Sequence, residues 1–207
     1  SKAKLVPSAS AVKSKIYDGN TNAEGTLTLS SADGKPILSE DAAALEAKGT
    51  FTWTSEDAGT NTVNVTGIAL DSKFDCYELT TSELSNVSCS GAKIENAKIQ
   101  NVSVRQMMEL TYNGQEQLPE VTATGSTIGG TAITFRYGLT AEQAADETHA
   151  LKNAPTFTDA GTYTVYYTAS AANHDSVSGS FEIKIKNASI TGVDAAGYTG
   201  IYDGHSH

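Results

Sequence analysis

The residue types able to do chemistry here are few, and their spacing argues against a catalytic centre. The four histidines, His149, His174, His205 and His207, show none of the spacings that bring imidazoles onto one zinc ion. Acidic pairs stand at Glu40/Asp41 and Glu56/Asp57. Acid–base catalysis by two carboxyl groups needs a cleft that makes them face each other. These pairs fall in turns and helix starts, where solvated carboxylates are ordinary. The chain has no Gly-x-Ser-x-Gly elbow and no phosphate-cradling loop. A phrase of another kind recurs: Tyr17-Asp18-Gly19, Tyr112-Asn113-Gly114 and Tyr202-Asp203-Gly204. Asx-Gly marks a turn because both residues tolerate positive φ. Calcium wants about six to eight oxygens, and no Asp-x-Asp-x-Asp cluster supplies them. The expectation is a chain with no enzymatic activity, no metal and no cofactor.

Two cysteines and two aromatic residues remain as candidates. A hairpin turning at Ser82-Glu83 would set Cys76 opposite Cys89 at a non-hydrogen-bonded position, where a disulfide is geometrically allowed. Two buried free thiols are the other reading. A bridge would close a loop of about 14 residues, add roughly 3 kcal/mol and point to an oxidising compartment. Trp53 is in register with Phe51 and reads as core rather than as a sugar-stacking platform. Tyr166 has the opposite parity from Tyr163, Val165 and Tyr167. It is expected to face outward, as a candidate ligand contact for a sugar ring or another protein. Asn64, Asn86, Asn101 and Asn187 open Asn-x-Ser/Thr triplets, which arise readily in a chain this rich in Ser and Thr.

The elements that position these residues are written twice. Asp57-Ala58-Gly59-Thr60-Asn61-Thr62-Val63 returns as Asp159-Ala160-Gly161-Thr162-Tyr163-Thr164-Val165. Asn96-Ala97-Lys98-Ile99 returns as Asn187-Ala188-Ser189-Ile190. Offsets of roughly 90–100 residues are whole domains, beyond the period of a solenoid. Thr26–Leu29, Thr50–Thr54, Val63–Val65, Ile133–Tyr137 and Phe181–Lys186 alternate apolar and polar residues, the period of strands with one buried face. Gly and Asx turns punctuate them, the pattern of β-sandwiches. Ser39–Gly49 and Thr140–Ala145 carry helix start signals, and each reads as a short helix or turn in a crossover. The phrase ending in Tyr163-Thr164-Val165 has the spacing of an immunoglobulin-type corner, in which a Tyr hydroxyl returns to the backbone upstream. Asn61 stands where the first copy would place that Tyr.

The 207 residues carry 24 acidic and 14 basic side chains, for a net charge of −10. No basic stripe tracks a surface, so nucleic acid is not an expected partner. No apolar run approaches the roughly 20 residues of a membrane span, so no membrane insertion is expected from this stretch. Ser1 reads as a processing boundary without a targeting segment.

Lys15-Ile16-Tyr17-Asp18-Gly19-Asn20-Thr21, Gly49-Thr50-Phe51, Asp57-Ala58-Gly59-Thr60, Val63–Leu70 and Tyr77-Glu78-Leu79-Thr80 resemble the YDG-type repeat of bacterial cell-surface proteins. Tyr112-Asn113-Gly114, Ala154–Val165 and Ala172-Asn173-His174 resemble related bacterial Ig-like repeats. Cysteines and the missing corner Tyr are departures from that pattern. The resemblance implies an all-β chain of two tandem Ig-like β-sandwich domains with short helical crossovers. Their expected extents are 1–96 for the YDG-type repeat and 97–187 for the Ig-like repeat. Residues 188–207 are expected to be the first strand of a third repeat, its body cut off. The implied function is a non-catalytic stalk or adhesive segment of an extracellular, cell-surface or secreted bacterial protein, with neighbouring repeats and a host glycan or protein as partners. The alternatives are a glycan- or mucin-binding module, or an accessory region of a large secreted enzyme.

Overall fold

The computed structural model describes residues 1–194, 200, 202, 204 and 205. Their regular structure is nearly all β, in keeping with the alternating sequence. Eight strands lie in the first half: β1 (Ala3–Ser10), β2 (Lys15–Ile16), β3 (Thr26–Ser31), β4 (Ala47–Trp53), β5 (Thr62–Leu70), β6 (Tyr77–Leu79), β7 (Leu84–Ser88) and β8 (Ile94–Glu95). Eight more follow: β9 (Ala97–Lys98), β10 (Gln100–Gln106), β11 (Leu110–Thr111), β12 (Val121–Ser126), β13 (Thr134–Gly138), β14 (Gly161–Ser170), β15 (His174–Asp175) and β16 (Val177–Lys186). The helical content is a 3-10 turn at Ile128–Gly130 and one helix, α1 (Ala141–Ala145).

In the first half, one sheet runs β3-β1-β6 and another β4-β5-β7, with β2 and β8 as a short parallel pair. The register puts Phe51 opposite Val65, and Trp53 opposite Val63, so one face of β4 and β5 is apolar. That face packs with Tyr17, Ile68, Ala92, Ile94 and Ala97. Leu5 of β1 and Tyr77 of β6 form a second cluster with Phe74. Pro7 sits in β1 beyond the reach of β6, which pairs only with Ala3 to Leu5. A missing N–H is tolerated there because no neighbour needs it.

In the second half a four-stranded sheet runs β11-β16-β14-β13, and β10 pairs with β12. Val165 faces Phe181, and Tyr163 faces Ile183. The cluster of Tyr137, Val165, Phe181 and Ile183 receives Val104 from β10 and Val121 from β12. The residues expected in the core therefore occupy it, although Tyr163 is only half-buried.

Helix signals resolved differently in the two halves. Thr140 caps α1 by accepting from the Gln143 N–H at 3.1 Å. The Ser39–Gly49 stretch makes only successive turns at 39–44 and then enters β4. Its terminal Gly49 is not a helix cap. It is a strand residue whose added Cβ would lie 2.8 Å from Val65 Cγ1.

The hairpin that would face the two cysteines does not form. β6 pairs in parallel with β1, whereas β7 pairs with β5 in the other sheet. The chain changes sheets at a turn in which the Thr81 hydroxyl donates to the Glu83 carbonyl. The pull of two separate clusters explains it: Tyr77 belongs with Leu5, and Val87 packs beside Trp53 and Val63. Cys76 and Cys89 are accordingly free thiols, Cys76 exposed and Cys89 half-buried. Burial pushes the Cys89 thiol above its ordinary range. Labelling in non-reducing denaturant should count two thiols per chain. In the native protein Cys76 should react first, because Cys89 is both shielded and less ionised.

Tyr166, expected on the outward face, is not among the residues packed against the core cluster that holds Tyr163 and Tyr167. It is half-buried. Its cross-strand partner is Gly138, whose Cβ direction points at Ala144 N of α1. Residues paired across strands share a face, so Tyr166 lies on the face that α1 partly covers.

Residues 187–194 carry no strand, and Ile190 and Val193 are exposed. Most of the remainder of the expected third-repeat strand, Tyr198 and Ile201 included, lies outside the described residues. No described helix is long and apolar enough to cross a membrane.

Candidate functional site

Residues distant in sequence meet at a hydrogen-bonded joint between the two halves. It is built on the Ala171–Asp175 segment that links β14 to β16. Asn173 takes a positive φ of 63°, a conformation its short polar side chain tolerates. That bend turns the segment toward the first half. The Asn173 carbonyl accepts from the Ala97 N–H at 2.9 Å. Its side-chain Oδ1 accepts from the Ala58 N–H at 3.0 Å, and its Nδ2 donates to Asp57 Oδ1 at 3.1 Å. Both ends of one amide are thus committed to the Asp57-Ala58 corner. β15 and β9 run on from there as a parallel pair, and Asn96 Nδ2 donates to Asp175 Oδ1 at 3.1 Å.

His174 is the buried centre of this joint. Its Nε2 accepts from the Ile128 N–H at 3.0 Å, so Nδ1 carries the proton and donates to the Ala172 carbonyl at 2.7 Å. The ring meets Tyr17 edge to face, with centroids 5.6 Å apart. Asp57 is held below the ordinary carboxylate range by the Ser55 hydroxyl and by the Asn173 amide.

The corner phrases close in two ways. In the second half the Tyr163 hydroxyl donates to the Asp159 carbonyl at 2.9 Å, and its ring stacks on Phe157 at 3.9 Å. In the first half Asn61 cannot reach back in this manner, and Asn173 of the second half binds the corner instead. Tyr163→Phe should therefore cost about 1 kcal/mol, the ordinary net worth of one hydrogen bond. A fall in the urea midpoint of the second half, with the slope unchanged, checks it.

The Tyr17-Asp18-Gly19 turn is occupied by a cation from its own chain. Lys15 Nζ donates to Asp18 Oδ1 at 2.7 Å, to the Asn20 carbonyl at 2.6 Å and to Asn20 Oδ1 at 2.9 Å. Burial acts to raise the Asp18 pKa. The bonds from Lys15 and Asn20 outweigh it, and the carboxyl titrates below its ordinary range. An ammonium ion thus takes the oxygens that a metal would need. Among the described residues no three His, Cys, Asp or Glu side chains gather around one point.

The other chemistry-bearing residues are scattered. His149 Nδ1 lies 2.6 Å from Asp146 Oδ2 at the exposed exit of α1. The Thr148 hydroxyl and His149 hold the Asp146 carboxyl far below the ordinary range. Asp41 Oδ2 accepts from the Tyr77 hydroxyl at 2.8 Å, while Glu40 and Glu56 point to solvent. Trp53 is 2% exposed, so its ring offers no platform to a sugar. His205 is exposed, and His207 lies outside the described residues.

This arrangement binds one part of the chain to another, and among the described residues it sets no nucleophile and base together in a cleft. Residues 1–84 match the YDG domain. The YDG domain is a non-catalytic module typical of bacterial cell-surface and extracellular proteins. The match ends at the start of β7, so the YDG domain as matched contains Tyr17, Asp57 and Ala58 but not Asn173 or His174. No curated protein matches the chain. The joint was not foreseen from the sequence. Its signal was present in Ala172-Asn173-His174, an Asn suited to positive φ beside a lone His among small residues.

Proposed function

We propose that this chain is a non-catalytic spacer of a bacterial cell-surface or secreted protein. It consists of two tandem β-sandwich repeats, residues 1–96 and the Ig-like 97–187, which present a binding region at a fixed distance. The observation that carries this reading is the joint. The last strand of the first repeat, β8, and β9 are separated by Asn96 alone. A connection that short restricts swing by itself. Asn173 then fixes the remaining freedom with side-chain hydrogen bonds to Ala58 and Asp57 of the first repeat, and the His174 ring packs edge to face on Tyr17. The separate apolar clusters of the two halves support two folding units. Of the aromatic residues weighed for sugar contact, Trp53 is core and Tyr166 is half-covered, which favours spacing over glycan binding by this stretch.

Small-angle scattering of the intact chain tests the reading. The wild-type profile should fit one rigid arrangement of the two repeats. The double variant N173A/H174A should require an ensemble with a wider spread of distances. A wild-type profile that already needs such an ensemble would overturn the stiff spacer.

A further inference from the structure

The face that receives the Asn173-His174 loop has a counterpart elsewhere in the chain that the described residues leave exposed. In the first half Lys15–Ile16 pairs in parallel with Ile94–Glu95, and the Tyr17 N–H donates to the Glu95 carbonyl at 2.8 Å. In the second half Leu110–Thr111 pairs in parallel with Ile185–Lys186, and the Tyr112 N–H donates to the Lys186 carbonyl at 2.8 Å. The two Tyr-Asx-Gly turns therefore hold the same place relative to the strand that leaves each half. The corners correspond as well. Gly59 N–H donates to Ile94, and Gly161 pairs with Ile185. Past those strands come the matching phrases Asn96-Ala97-Lys98-Ile99 and Asn187-Ala188-Ser189-Ile190.

Their burial differs. Tyr17, Ala97 and Ile99 are 7%, 1% and 5% exposed. Tyr112 and Ile190 are 41% and 87% exposed, and Ala188 is open as well. An apolar pattern that is buried in one copy and bare in the other marks a surface made for a partner. The Asn173-His174 loop covers the first copy, with the Ile128–Gly130 turn behind it. The second copy presents the same groups at matching places, the Ala160 amide and Asp159 carboxylate at its corner and the ring of Tyr112.

We propose that Tyr112, Asp159-Ala160, Ala188 and Ile190 form a docking face for a further unit built like residues 97–187, following in the same chain and seating an Asn-His loop. The proposal rests on the spacer reading. Its specificity lies in the amide. Asn both accepts from an N–H and donates to a carboxylate, so it fits the Asp-Ala corner. Asp at that position would repel Asp159, and an apolar residue would leave both groups unanswered. The imidazole edge suits the face of Tyr112 as His174 suits that of Tyr17. Residues 188–193 supply the connection, in the same phrase that joins the existing pair.

The test extends the chain by one unit. Residues 1–193 are continued by residues 103–207, so that Val193 takes the place of Val102 and the native joining phrase is kept. Ala160 then occurs twice, once on the inner face and once at the free end. Half of its amide population should exchange at least about tenfold more slowly than in the 207-residue chain. N173A in the appended unit alone should remove that slowing. The Ala58 amide reports the existing joint in every sample. If Ala58 stays protected and Ala160 does not slow, the docking face is refuted and the spacer has a free second joint. If the slowing survives N173A, the Asn-His loop is the wrong occupant. If it grows with protein concentration, the contact is between separate chains and the same-chain proposal fails. An unprotected Ala58 in the 207-residue chain would overturn the spacer reading itself, and this inference with it.

Discussion

Replacing Trp53 by alanine should remove about 3–5 kcal/mol from the first half and leave the second standing. Trp53 is the largest fully buried side chain, and it is packed between Phe51 on its own strand and Val63 across the pair. Its removal leaves a void that the surrounding β-sheet cannot close. A unit of about 90 residues has little stability to spare, so a loss of this size unfolds it or nearly so. The amides of Val63 and Val65 should then exchange rapidly, while those of Val165 and Ile183 keep their protection. Loss of protection in both halves together would show one cooperative unit instead of two. Trp53→Phe should cost much less. The indole N–H is buried and has no acceptor among the described protein groups, so phenylalanine breaks no hydrogen bond within the chain and loses only part of the packing.

Gly138→Ala should destabilise the second half by about 1–3 kcal/mol, a large effect for one methyl group. The added Cβ would stand 2.7 Å from Ala144 N and 3.0 Å from the Thr140 carbonyl. Both are backbone atoms of the α1 turn. That turn cannot retreat freely, because Thr140 caps it and Gln143 Oε1 accepts from the Leu139 N–H at 2.8 Å. Gly179→Ala is the matched control. Its Cβ would meet the hydroxyl end of Tyr167 at 2.6 Å, a closer approach but to the far end of a side chain that can swing. Urea midpoints at unchanged slope decide between them. Equal losses would mean that α1 is not pinned as described.

What the sequence disclosed is what local chemistry controls. Alternation on β4, β5 and β16 named the buried faces because a strand has no other way to hide every second residue. The Tyr163 corner was legible because its partner carbonyl is only four residues upstream. Local reading fell short where distant groups compete for a segment. Cys76 and Cys89 look like a hairpin pair locally, yet Tyr77 and Val87 are drawn to different clusters. Tyr166 has outward parity, and only the placement of α1 decides how much of it is covered. The phrase around His174 marked a bend, but it could not name the partners, because Tyr17 and Ile128 lie far away along the chain.

The short parallel pairs have a mechanical consequence. In a parallel pair both strands start at the same end. The chain enters β2 at that end and leaves β8 at the opposite one, and the same holds for β11 and β16. Tension between the segment before the first strand and the segment after the second therefore runs along the strands, in opposite directions. It slides one strand past the other, and all the bonds of the pair bear the load at once. An antiparallel pair pulled from its two neighbouring ends would instead peel open one bond at a time. Forced opening is governed by the rate at which the loaded row gives way, so a simultaneous row is the slower one to yield. Two pairs of only two residues each thus act as shear clamps.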